Sequence, residues 1–201
     1  MFLPFFTLFE IPFKLKVSNA QPIVPEVVQT KQAPNIKPLA DMIGAAEADS
    51  LGGYNAANAG KPMDLGNNGL TAITGRTCEQ VTLAEVKAWQ RQGLLFAVGR
   101  YQMIPTTLQA AQRWAGLPDS AAFSPANQDL MLQALLQYKR PTVWLYLQGK
   151  ASKAAALLAM AREWAGIPRP DGYSQYHGDR AGNSANVTVA QAYEALAQAT
   201  T

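Results

Sequence analysis

Leu39-Ala-Asp-Met-Ile-Gly-Ala-Ala-Glu47 is the stretch on which the reading of this chain turns. Pro38, just before it, suits the first position of a helix, where a missing N–H is no loss. Leu39, Ile43 and Ala46 recur at helical spacing and form one apolar stripe. Gly52-Gly53 is the expected stop. Glu47 lies one turn beyond Ile43, so it continues the stripe instead of opposing it. A carboxyl flanked by Ala45, Ala46 and Ala48 loses hydration, and desolvation raises its pKa by disfavouring the charged form. A carboxylic acid that keeps its proton near neutral pH can hand it to a departing glycosidic oxygen. The position equally suits a solvent-facing helical glutamate, and the stretch alone leaves both readings open.

Working outward, the pattern predicts a series of short helices. Thr82-Leu-Ala-Glu85 is a capping box that opens a helix to about Gln92. Pro105 opens another that ends at Gly116, and Ser124-Pro125 starts a third through Leu136. Further helices are expected over Val143–Leu147, Ala151–Trp164 and Thr188–Ala199. Between the first two helices, Tyr54 to Val81 is rich in Asn, Gly and Thr and lacks helical periodicity. It is expected to be an irregular lobe, with a small hairpin around Gly66-Asn-Asn-Gly69. Strand signals are otherwise nearly absent, so the fold class is mainly α with one loop-rich lobe.

Composition narrows the functional classes. With 201 residues, 48% of them hydrophobic and 15% charged, the chain can bury a core and is not a disordered polymer. A net charge of +3 with no Lys/Arg run is no nucleic-acid footprint, though it tolerates an anionic polymer as partner. Cys78 is the single cysteine and His177 the single histidine, so neither a disulfide nor a zinc cluster is expected. No cofactor is expected either. Residues 1–37 read as an apolar segment followed by a Pro-rich linker, and residues 38–201 as the folded domain. The apolar run from Phe2 to Phe9 has its lysines, Lys14 and Lys16, after it, which fits a degenerate export signal, a membrane-surface anchor or a partner-docking tail.

Two other segments carry chemistry. Gly99-Arg100-Tyr101-Gln102 offers an aromatic face and fork-like donors, either for a sugar or for internal use, with Tyr101 in the core and Arg100 pairing with Glu47 or an Asp. Gly172-Tyr-Ser-Gln-Tyr-His177 is a second aromatic-polar cluster. Asp49 and Asp64 are the acids that could orient a water opposite Glu47. Trp89, Trp114, Trp144 and Trp164 sit among Ala and Leu and are expected in the core, and His177 in a polar loop.

Taken in order, four blocks resemble the lysozyme superfamily, and within it the lytic transglycosylases typified by the endolysin of bacteriophage lambda. They are Leu39–Glu47, Ala97-Val-Gly-Arg-Tyr-Gln102, Phe123-Ser-Pro-Ala-Asn-Gln-Asp129, and Trp164-Ala-Gly-Ile-Pro168 with Gly172-Tyr-Ser-Gln175. The resemblance spans about residues 38–180 and implies a two-lobed lysozyme-like domain acting on the glycan strands of peptidoglycan. It implies that Glu47 is the sole catalytic carboxylate, cleaving between N-acetylmuramic acid and N-acetylglucosamine with formation of a 1,6-anhydro end. It further implies that Arg100, Tyr101 and Gln102 line the cleft and hold Glu47, and that Tyr173 and Gln175 contact sugar from the opposite wall. Tyr54 and Asn55 resemble the Tyr-Asn pair of the wider transglycosylase group. A hydrolytic muramidase of the same fold, and a silent wall-binding module of a phage or secretion machine, are the competing readings. Each places the protein in the periplasm or facing the wall. Residues 1–16, the linker and the Tyr54–Val81 lobe depart from the compact members of that group.

Overall fold

The computed structural model describes residues 34–60, 69–179 and 182–200. The apolar segment and nearly all of the linker, together with Asp64, lie outside them. The described chain from Pro34 onward is mainly helical, with eight α-helices and a two-stranded antiparallel sheet.

Helix α1 spans Lys37–Glu47 and buries Leu39, Met42, Ile43 and Ala46, the expected stripe. It ends at Glu47, before the glycines that were expected to stop it. Ala48 still donates its N–H to the Gly44 carbonyl but leaves helical geometry at φ −149°, and a tight turn over Asp49–Leu51 uses up the intervening residues. The catalytic candidate therefore closes the helix, and Gly52 supplies the left-handed φ of 110° that redirects the chain after it.

The described parts of the segment after α1 carry regular structure that its composition does not announce. Ala57–Asn58 forms strand β1, and Gly69–Thr74 forms helix α2. The expected hairpin falls mostly outside the described residues, and Gly69, its last residue, begins α2. Gly69 has to be glycine because a Cβ there would lie 2.0 Å from the Ala57 carbonyl oxygen. Strand β1 pairs instead with β2, Ala97–Val98, far along the chain, in the register Ala57↔Val98 and Asn58↔Ala97.

Between them, α3 covers Leu83–Arg91 and carries the full capping box, Thr82 and Glu85 each bonding the other's backbone. Helix α4, Pro105–Trp114, is capped by Ala115 and followed by Gly116, whose φ is 67°. Helix α5, Pro125–Ala134, is capped by Ser124 and widens into a wider-pitched turn over Leu135–Lys139. Helices α6 (Pro141–Leu147), α7 (Lys153–Ala161) and α8 (Val189–Gln198) complete the set. Helix α7 stops three residues short of Trp164, because Trp164 begins the loop that returns to α1. One apolar core joins the stripe of α1 to Leu108, Phe123, Met131, Leu132, Leu157 and Leu196. Trp164 is buried in it, and Trp89, Trp114 and Trp144 pack against its margin.

Candidate active site

Glu47 projects from the last position of α1 into the loop that follows α7. Its Oε1 accepts the Gly166 N–H at 2.8 Å. Burial pushes the carboxyl up to about 7, and the Gly166 hydrogen bond pulls the other way but does not prevail. The negative end of the α1 dipole acts in the same direction as burial. Among the described residues, no salt bridge reaches Glu47.

The Gly166 loop is shaped to reach that carboxyl. A Cβ on Gly166 would stand 2.3 Å from the Ala46 carbonyl oxygen, so only glycine permits this approach. The Ser174 hydroxyl donates to the Ala165 carbonyl at 2.7 Å, and Pro168 bridges Ser174 in antiparallel fashion. Tyr173 and Gln175 flank buried Ser174 and are both exposed. They therefore belong to the same small loop as the Glu47 partner. His177 is exposed beside them, its ring 5.3 Å from that of Tyr173.

Gly99–Gln102 is a tight turn whose ends are joined by reciprocal hydrogen bonds between Val98 and Met103. Gly99 and Gln102 adopt positive φ, 75° and 45°. The turn sends its two central side chains in different directions. Tyr101 is 1% exposed, its ring in the core and its hydroxyl donating to Asp129. Burial holds its phenol well above the ordinary range. The expected sugar-facing ring is therefore not on the surface, and the core alternative describes it.

Arg100 does not hold Glu47 directly. Its guanidinium takes Asp49 in a two-pronged grip, Nε to Oδ1 at 2.8 Å and NH2 to Oδ2 at 2.9 Å, and reaches Asp41 at 3.2 Å. It lies across Gly44, where a Cβ would stand 2.3 Å from Nε. The Tyr54 ring sits beneath it at 5.3 Å, and the Tyr54 hydroxyl donates to Asp129 at 2.9 Å. Asn55 accepts the Cys78 N–H at 2.7 Å, fixing the chain after α1. Gln102 accepts from Asn58 at 3.0 Å and donates to the Gly99 carbonyl, so it braces the sheet and its own turn.

Asp41, Asp49, Tyr54, Asn55, Arg100 and Asp129 line a groove of about 1100 Å³, of which Gln102 is not part. Glu47 is not part of its wall. The expected site thus falls into two groups joined by α1: Glu47 with Tyr173 and Gln175, and Tyr54, Asn55 and Arg100 along the Asp41–Asp49 side.

A model of the Endolysin family matches residues 39–196. The chain belongs to that family. The match takes in α1, the Gly99–Gln102 turn, the α5 N-terminus and the Glu47-facing loop. No curated protein and no solved structure matches the chain. As an endolysin-family protein of lysozyme-like fold, it is a peptidoglycan-cleaving enzyme that acts on the cell wall. Among the described residues, no helix is long and apolar enough to cross a membrane.

Gln128 and Asp129 have a part here that sequence reasoning did not assign. Fully buried Gln128 donates to the Tyr54 and Phe123 carbonyls and accepts the Arg100 N–H at 2.9 Å. Asp129 accepts both tyrosine hydroxyls. Their signal is the Phe123–Asp129 block itself, in which two polar residues follow a helix cap on the inward face of α5.

Proposed function

We propose that this endolysin-family enzyme is a lytic transglycosylase that cleaves the MurNAc–GlcNAc bond with Glu47 as its single acid and base. The observation that carries the reading is a carboxyl raised to about 7 by burial, while Asp41 and Asp49, the acids next to it in sequence among the described residues, are committed to ion pairs. Asp49, one of the two acids expected as a second carboxylate, has both oxygens taken by Arg100, and Asp64, the other, lies outside the described residues. Asp41 is held by Lys37 and Arg100, and the hydrogen bond from Lys37 keeps its pKa low.

Protonated Glu47 gives its proton to the glycosidic oxygen, and the bond from that oxygen to muramic C1 breaks. The muramic C6 hydroxyl closes on C1 and surrenders its proton to the Glu47 carboxylate. The acid is regenerated and no water is consumed, so a second carboxylate to activate water is unnecessary, unlike the usual two-carboxylate scheme. Exposed Tyr173 and Gln175 offer a ring face and an amide to the sugar beside Glu47, and the groove lined by Tyr54, Asn55 and Arg100 offers a further stretch of surface to the glycan strand.

Digestion of purified sacculi followed by mass spectrometry of the muropeptides tests this. Anhydro-muramic ends are expected, and Glu47→Gln should abolish their release. Reducing ends would establish a muramidase, and binding to sacculi without any release would establish a silent wall-binding module.

A further inference from the structure

Three stretches meet at the C-terminal end of α1, and Asn186 joins them. Its side-chain Nδ2 donates to the Ala46 carbonyl at 2.8 Å, across 140 residues of chain. That carbonyl belongs to the peptide group linking Ala46 to Glu47. It is also one of the terminal helical carbonyls that have no partner within the helix. The backbone N–H of Asn186 donates to the Gly166 carbonyl, also at 2.8 Å. Gly166 is the residue whose own N–H holds the Glu47 carboxyl. The same short segment thus grips the backbone beneath Glu47 and the loop above it. The packing leaves little slack, since a Cβ at Gly166 would be 2.3 Å from the Ala46 oxygen and 3.1 Å from Asn186 Nδ2.

We infer that Asn186 is a positioning residue for Glu47: its amide locks the Ala46–Glu47 peptide against the Gly166 loop and so fixes where the acid presents its proton. The inference rests on Glu47 being the acid. Asn186 touches neither the reacting bond nor the Glu47 carboxyl; it acts through the Ala46 carbonyl and through Gly166. A displacement of about 1 Å at an acid can cost roughly a hundredfold in rate, so a lost clamp is felt in turnover before it is felt in substrate affinity.

Several of the charged groups on the elements packed here, among the described residues, are held by partners of their own, while Arg162 at the end of α7 and His177 in the loop also lie on these elements. Asp41 and Asp49 near α1 pair with Arg100, Glu163 before the loop pairs with Lys139 and Arg140, and Arg169 within it pairs with Asp171. On α8, Glu194 accepts from Gln198, and in the loop after α7 Asp179 accepts from Asn183. A new negative charge at position 186 would stand against the Ala46 carbonyl, in the peptide that carries Glu47.

The test compares the full-length protein with Asn186→Ala and Asn186→Asp on soluble uncrosslinked glycan strands, from pH 5 to 9. Asn186→Ala should lower kcat about tenfold with KM unchanged. Asn186→Asp keeps the shape of the side chain but removes the donor and adds a negative charge. The added negative charge disfavours the Glu47 carboxylate, so the alkaline limb of the pH–rate profile should move up by roughly one unit. Melting temperature is recorded alongside, because a merely structural residue would lower it and leave the limb in place. Wild-type kcat in Asn186→Ala together with an unmoved limb in Asn186→Asp overturns the inference. Glu47→Gln separates the two claims: an inactive Glu47→Gln with unmoved Asn186 variants leaves the acid standing, whereas an active Glu47→Gln removes it.

Discussion

Arg100 grips Asp49 with two hydrogen bonds, at 2.8 and 2.9 Å, and in doing so ties the Gly99–Gln102 turn to the end of α1. The guanidinium is 15% exposed and the Asp49 carboxyl 37%, so the pair is partly shielded from solvent. Asp49 raises the affinity of the guanidinium for its proton still further above the ordinary range, and Arg100 stays charged at every working pH. The consequence is that the acid best placed in sequence to assist Glu47 is committed to holding the fold.

Replacing Arg100 should therefore act through stability and not through the proton transfer itself. Arg100→Ala strands Asp49, leaves Asp41 with Lys37 alone and empties the space over Gly44, at an expected loss of about 2 kcal/mol in denaturant unfolding. Arg100→Lys restores a charge but not the fork, and should recover only part of it. A variant as stable as the wild type would contradict the bracing role.

Gly166→Ala is expected to be the most damaging small change near the site. Its Cβ would meet backbone, the Ala46 oxygen at 2.3 Å, and a backbone atom cannot swing aside as a flexible side chain does. The loop has to withdraw, and the N–H that holds Glu47 withdraws with it. A loss of about 2 kcal/mol or more is expected, with a fall in turnover even where the variant remains folded. Thermal unfolding and sacculus digestion at a permissive temperature check both parts.

Much of this is legible in the chain because it is local. The α1 stripe, the Thr82 and Thr188 capping boxes and the Pro-led starts of α4 and α5 announce themselves within a few residues. Glu47 is legible for the same reason, as the polar residue that continues an apolar stripe. What is not legible is what meets it: Gly166 comes from 119 residues away, and such a contact leaves no periodic trace. The two-stranded sheet escapes for a related reason, since each strand has two residues and its partner is remote. Gly-Arg-Tyr-Gln is recognisable as a motif, yet only the turn geometry reveals that Tyr101 points inward and Arg100 across α1.

Tyr101 offers a direct way to tell core from cleft. Tyr101→Phe keeps the ring and loses the hydroxyl bond to Asp129, at an expected cost of about 1–2 kcal/mol, with KM for glycan strands unchanged. Tyr101→Ala empties a fully packed site and should lose about 3–5 kcal/mol. A rise in KM for Tyr101→Phe without loss of stability would instead place the ring against substrate.

Glu47 links catalysis to stability through one proton. Its ordinary pKa near 4.5 is raised to about 7 by burial, so between those values the folded chain binds a proton that the unfolded chain releases. Stability contributed by this group is therefore present in full below about 4.5 and is lost as pH rises through about 7. Glutamine at this position cannot ionise, yet its amide oxygen can still accept the Gly166 N–H. Glu47→Gln should then match the wild type in melting temperature at pH 4 and exceed it at pH 8, by about 1–3 kcal/mol in unfolding free energy. The glycan-cleaving activity of the wild type should fall over the same upper range, because the proton it donates is the one being lost. A melting-temperature difference that does not vary with pH would show that Glu47 ionises as an ordinary exposed carboxylate, and it would remove the physical basis for its role as the acid.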